Sequence, residues 1–348
     1  MKVIEAFGKP GIQAALTAAL LFGAGTPLAK ALLTSISPWL MAGLLYLGAG
    51  LGLTLYRTLT HSPKVELPRH ERFWFAGAIL FGGTLAPILL MVGLSGMPAS
   101  AASLLLNAEG IFTALLAWFA FKENFDHRIA MGMAAIAAGA LILSWPGEVQ
   151  FAGLWPTLAV LGACLFWGID NNLTRKVSLS DATWIASVKG LVSGTVNLTL
   201  AFALGASLPS WPNIAGAMVV GFLAYGVSVA LFVTGLRHLG TARTGAYFSI
   251  APFFGAGLAL LMGDTLTWQL LLVGLLMAWG TWLHLTEHHA HDHVHDSLEH
   301  EHEHSHDEHH QHEHDFPVHG AKHRHPHRHS PLTHSHAHYP DVHHRHSH

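Results

Sequence analysis

Between Gly11 and Thr286 the chain is a near-continuous series of apolar runs, each of about 20 residues, separated by short polar turns. A helix rises 1.5 Å per residue, so a run of about 20 apolar residues covers the hydrocarbon core of a bilayer. Lipid supplies no hydrogen bonds, so each run must satisfy its backbone internally. The pattern therefore predicts an all-α membrane protein. Only 11% of the residues are charged, against about 25% in soluble domains.

Ten spans can be placed, at 11–33, 36–57, 73–93, 98–121, 127–145, 151–174, 182–205, 213–236, 242–262 and 266–285. Proline-containing turns such as Ser37-Pro38, Ser62-Pro63, Met97-Pro98 and Trp211-Pro212 separate them. Tryptophans sit at the span ends, as in an interfacial aromatic belt. Lys2 and Lys9 precede the first run, but that run is too long for a cleavable leader and reads as a retained helix. With the N-terminus inside, twelve Lys and Arg fall on the cytoplasmic side against Lys30 alone opposite. That bias predicts a multi-pass protein of the plasma (inner) membrane with both termini cytoplasmic. Cys164 is the single cysteine, which excludes an internal disulfide or a CxxC site. No P-loop is present, and the few basic residues lie at membrane turns, so neither ATP hydrolysis nor nucleic-acid binding is expected.

The chain also repeats itself. A shift of 142 aligns Gly93 with Gly235, Phe112 with Phe254 and Leu141 with Leu283, and a shift of 145 sets Phe22-Gly23 on Trp167-Gly168. Five spans per half is an odd number, so the halves, 11–145 and 151–286, must insert with opposite topology. Two inverted five-helix repeats are the architecture of alternating-access carriers.

Two such halves, an aromatic-Gly element in the first helix of each, and a small-residue fourth helix ending in Phe121-Lys122-Glu123-Asn124 resemble the EamA-type family of the drug/metabolite transporter superfamily. The second half departs from the pattern, with Gly263-Asp264-Thr265 where Gly-Glu is usual. The resemblance implies a secondary carrier, commonly an exporter of amino acids or other small metabolites, and no enzymatic centre.

Glu109 is the first candidate for the transport site. It is the single ionisable residue of Met97–Phe121, and carboxylates inside a membrane face a bundle interior and mark pathways. Dehydration favours the protonated form of a carboxylate, so proton coupling is the expected role; a structural, hydrogen-bonded acid is the competing one. Ser100, Ser103 and Asn107 share a helical face nearly opposite Glu109 and Thr113. The helix is therefore either enclosed on both sides or locally distorted. Gly23, Thr26 and Lys30 form one face of the first span, with Pro27 beside them, and Gly168, Asn171 and Arg175 repeat it in the sixth. Packing and snorkelling compete with function at Lys30 and Arg175. Asp170, beside Asn171, is at a depth to pair with Lys189 of the seventh span as an inner gate, with snorkelling of Lys189 as the equal alternative. Pro87 and Pro252 read as kinks.

From Glu287 onward the material changes: residues 287–348 hold 25 of the 30 histidines and lack apolar residues for a core. Such a segment is expected to be disordered. His291, His293, His295, His300, His302, His304, His306, His309, His310, His312 and His314, interleaved with Asp and Glu, suit weak multiple binding of Zn, Ni or Co. A pH-responsive solvated tail is the alternative. No cofactor is required.

The function expected is therefore a proton-coupled exporter of small metabolites working by alternating access. Two rivals stand beside it: a divalent metal carrier loaded through the tail, and a membrane-anchored metal sensor or store. The partners expected are a small-molecule or ion substrate and the lipid bilayer, with a second copy of the chain as a candidate.

Overall fold

The computed structural model describes residues 10–65, 67–121, 127–144, 153–177, 180–239, 244, 247–285, 290–295, 299–304, 323–328 and 332–337. It divides into two compact units, Met1–Glu287 and His288–His348.

The first unit is helical. Helix α1 is Pro10–Leu32, α2 Pro38–Leu59 and α3 Arg72–Ser95. Helix α4 comes in two pieces, Ala99–Leu105 and Ala108–Phe121. Helix α5 is His127–Ser144, α6 Leu154–Arg175 and α7 Ala182–Ala203. Helix α8 runs Trp211–Gly221, a wide turn Phe222–Val227, then Ser228–Leu239. Helices α9 and α10 are Ala251–Leu261 and Trp268–Leu285.

The starts follow sequence chemistry. Ser37 accepts from Leu40 N–H with Pro38 in the first turn, Asp181 accepts from Trp184 N–H at 2.9 Å, and Thr267 accepts from Leu270 N–H at 3.1 Å. Each satisfies a donor that a helix start leaves open. Among the described residues, six helices are long and apolar enough to cross a membrane. Leucines and phenylalanines such as Leu55, Phe73, Leu141 and Leu275 lie exposed on outer faces, where a membrane protein meets lipid. Trp155, Trp211 and Trp268, about four-fifths exposed, stand at the first turns of α6, α8 and α10.

The core gathers Leu40, Met41, Leu45, Leu90, Met91, Leu94, Leu105, Val160 and Met277. Helix α2 packs along α7, α5 along α10, α1 along α8 and α3 along α6; α1 also meets α9, α6 meets α4, and α4 meets α9. The α2–α7 crossing is backbone on backbone: a Cβ on Gly190 would sit 2.6 Å from Gly50 N. At one end of this pair Arg57 bonds Asp181 at 2.7 Å, Thr183 Oγ1 at 2.7 Å and Pro63 O at 2.8 Å.

Helix α3 is not a plain helix. Over Ile79–Leu85 it widens to a π turn, a form frequent at functional sites. The cause is Pro87. Lacking an N–H, it cannot cap Gly83 O, while Ala86 N–H reaches back to Phe81 O. Gly82 O then receives Tyr46 Oη at 2.8 Å and Trp167 Nε1 at 3.0 Å, and Gly83 O receives Asn197 Nδ2 at 3.2 Å. The expected kink is thus a widened turn. Pro252 differs too: it lies in the first turn of α9, where a missing N–H costs nothing.

In the second unit four six-residue strands pair as two antiparallel ladders, Ala290–His295 with Leu332–Ala337 and Glu299–His304 with His323–Arg328. The expectation of disorder differs here from the strands observed. Alternating His-x-His has the period of a strand, although two-stranded ladders supply no core.

Candidate functional site

The site is built at the break in α4. Leu106 N–H is shared between Ala102 O at 3.3 Å and Ser103 O at 3.2 Å, and Asn107 N–H bonds Leu104 O at 3.1 Å. Glu109 N–H bonds Leu106 O at 3.1 Å. These tighter contacts replace the regular ladder, and Asn107 Nδ2 covers Leu104 O at 2.9 Å. In an unbroken helix Asn107 and Glu109 would point about 200° apart. The break brings both to the wall of one cavity of about 200 Å³. Of the two arrangements open to this helix, the structure adopts the distorted one.

The cavity's polar lining is Asn107, Glu109, Ser249 and Thr281. Phe22, Ile136, Phe248 and Pro252 contribute apolar wall. Thr281 Oγ1 of α10 donates to Asn107 Oδ1 at 3.3 Å, tying α10 to the break. Ser249, the residue 142 positions beyond Asn107, faces the same space.

Glu109 is held from α6. Asn171 Nδ2 donates to Glu109 Oε1 at 2.9 Å and lies 3.2 Å from Thr113 Oγ1. Asn172 Nδ2 bonds Gly168 O at 2.8 Å and Thr113 O at 3.2 Å. Gly168 permits the approach: a Cβ there would stand 2.9 Å from Phe112 Cβ and 3.0 Å from Thr113 N. One helical position before Asn171, Asp170 turns to α7. Its Oδ2 accepts from Lys189 Nζ and its Oδ1 from Thr174 Oγ1 at 3.0 Å. Asp170 is buried and Lys189 is largely covered. Gly82, in the α3 turn, makes room for it, since a Cβ there would fall on the Asp170 carboxylate.

The other sequence candidates go elsewhere. Lys30 Nζ bonds Leu94 O at 2.8 Å and Ser95 O at 3.2 Å, covering carbonyls left open at the end of α3. Thr26 is buried within α1 and is not among the described lining residues. Outside that set, Asn197 of α7 serves the α3 turn. For His291, His293, His295, His300, His302 and His304 the structure describes strand backbone, with His300, His302 and His304 opposite His327, His325 and His323. His306, His309, His310, His312 and His314 lie outside the described residues. Among the described residues no group of three His, Cys, Asp or Glu gathers as a metal site. Thr281 and Phe248 carry no sequence signal that marks them for the cavity.

The chain and its helical bundle resemble known proteins. Residues 9–145 match the EamA-like transporter family. Over these residues the chain resembles the EamA-type carriers of the drug/metabolite transporter superfamily. It is 28% identical over 267 residues to an "uncharacterized transporter" of Methanothermobacter thermautotrophicus, covering 71% of this chain and 77% of that one. It is 26% identical over 292 residues to a "probable amino-acid metabolite efflux pump" of Salmonella typhimurium, covering 78% of this chain and 93% of that protein. A solved structure described as "Crystal structure of protein" superimposes with a TM-score of 0.59 at 16% identity, over 78% of this chain and 95% of that one. That likeness carries the fold. The chain is an integral, multi-pass membrane protein of transporter kind.

Proposed function

We propose that this EamA-type protein is a proton-coupled exporter of small metabolites that works by alternating access, with Glu109 as the proton relay. The observation that carries the proposal is the position of Glu109. It faces a cavity at a helix break and is held by Asn171 of α6. Discontinuous helices with half-helix ends at a central site are the form that carriers of this kind use.

The helix pairings support two inverted five-helix repeats. Exchanging each helix for the one five places along turns α1–α8 into α6–α3 and α1–α9 into α6–α4, and returns α2–α7, α5–α10 and α4–α9 to themselves. Both third helices of the halves carry a π turn. In this reading Asp170–Lys189 is an inner latch whose neighbours are the α3 turn and the Glu109–Asn171 contact. An efflux role accords with the printed name of the Salmonella relative. Metal as cargo has no support from the membrane unit, where the described residues gather no ligand cluster; the tail is proposed as a metal buffer instead.

The test is proton movement. Full-length protein in liposomes loaded with a pH dye is challenged with a panel of amino acids and amines. The wild type exchanges at least one panel member for protons, and Glu109→Gln removes the exchange. Wild-type exchange by that variant overturns the relay.

A further inference from the structure

Resting on the reading of the cavity as the substrate site, we propose that it selects a small organic monocation: an amine carrying an apolar body of about one ring and no carboxylate of its own.

The first argument is a charge inventory. Glu109 lines the cavity, and among the described lining residues no Lys, Arg or His accompanies it. Among the described residues, the cations of the spans are committed elsewhere: Lys189 to Asp170, Lys30 to the carbonyls of Leu94 and Ser95, and Arg57 to Asp181. A zwitterion or an anion would bring a second carboxylate into a poorly hydrated space with no cation to meet it, which is costly. An ammonium meets Glu109 directly. The carboxylate has about four acceptor sites, and the structure spends Oε1 on Asn171, so acceptor capacity remains. Asn107, Ser249 and Thr281 supply further oxygens for the other ammonium protons.

The second argument is the wall. Phe22 and Phe248 both line the cavity, and their ring centroids are 5.3 Å apart. They are backed by Tyr225, 5.7 Å from Phe22, and by Phe232, 4.8 Å from Phe248. A braced aromatic wall takes an apolar body and attracts a cation through its ring faces. Size sets the limit: about 200 Å³ is below the roughly 300–1,000 Å³ of sites for drug-sized ligands.

The test uses four probes with one body: 2-phenylethylammonium, phenylalanine, 3-phenylpropionate and 2-phenylethanol. Their binding to the full-length protein in detergent is measured by calorimetry, without a gradient. The ammonium is expected to bind at least about tenfold more tightly than phenylalanine, with the anion weakest. Glu109→Gln is expected to bring the ammonium level with the alcohol, while Glu109→Asp, which keeps the charge, preserves the order. Elution and melting profiles show that both variants fold. Equal or tighter binding of phenylalanine overturns the proposal, as does a preference that survives Glu109→Gln or an absence of binding by all four. Cation preference without proton exchange in liposomes would remove the transport reading alone. Proton exchange with a zwitterion preferred would remove this inference alone.

Discussion

Asn171 Nδ2 of α6 donates to Glu109 Oε1 of α4 at 2.9 Å, joining the acid of the first half to the first helix of the second. A hydrogen bond to a charged group contributes about 1.5–3 kcal/mol. Asn171→Ala is therefore expected to lower the rate of proton exchange by tenfold or more while leaving expression intact, and Glu109→Gln to abolish it. The pH-dye liposome assay reads both. If Asn171→Ala exchanges at the wild-type rate, the amide does not position the acid.

In the Asp170–Lys189 pair the acid is buried and the lysine largely covered, so removing one partner strands the other. Asp170→Asn or Lys189→Met alone should each destabilise by about 3–5 kcal/mol, and the double variant by less than the sum. Thermal melts in detergent check this. Gly82→Ala should behave like the Asp170 variant, because its methyl falls on that carboxylate.

At the end of α2, acid should weaken the clamp on α7. Burial alone would push the Asp181 carboxyl upward, but the Thr183 hydroxyl, Trp184 N–H and the Arg57 guanidinium hold it below the ordinary carboxylate range. A group lowered by folding contributes stability that is full above its unfolded value, about pH 4, and is lost as pH falls through the folded one. The melting temperature of wild type should drop on acidification below that value. Asp181→Asn should start lower and lose that part of the acid slope, and an unchanged slope would exclude the clamp as its source.

Asn197 donates to Gly83 O, a carbonyl that Pro87 leaves without its helical partner. Asn197→Leu should cost about 1–3 kcal/mol by stranding that oxygen. Adding Pro87→Ala, which restores an N–H, should return part of the loss. The melts of the two variants, separately and combined, test the connection.

Deleting residues 287–348 should abolish weak binding of Zn, Ni and Co while leaving proton exchange by the membrane unit unchanged. Metal titration of the full chain and the truncated chain, followed by the liposome assay, separates buffer from carrier. Exchange that falls with the tail would make the tail part of transport.

Much of this was readable before any coordinates. Glu109 announces itself as a charge in an apolar run, and Asp170 and Lys189 sit at matching depths, where counting residues leaves pairing and snorkelling open and the structure adopts the pair. The break at Leu106-Asn107 is a different case: no Pro or Gly marks it, and it rests on an Asn amide turned to its own backbone and a Thr hydroxyl 174 positions away. Lys30 also escaped local reasoning, because its partners are carbonyls at the end of another helix. Pro87 signals a disturbance in α3 but not its form. Whether a proline kinks a helix or widens it depends on which neighbours bring donors, and those lie in α2, α6 and α7.

That dependence reaches into biogenesis. The oxygen of Gly83 finds its donor on Asn197 of α7, and Gly82 takes its second from Trp167 of α6, both synthesised long after α3 has entered the lipid. A nascent first half must wait with Gly83 O unserved and Gly82 O holding Tyr46 alone. The α3 turn is therefore completed only once α7 has left the ribosome, and residues 9–145 expressed by themselves would make a fragile protein.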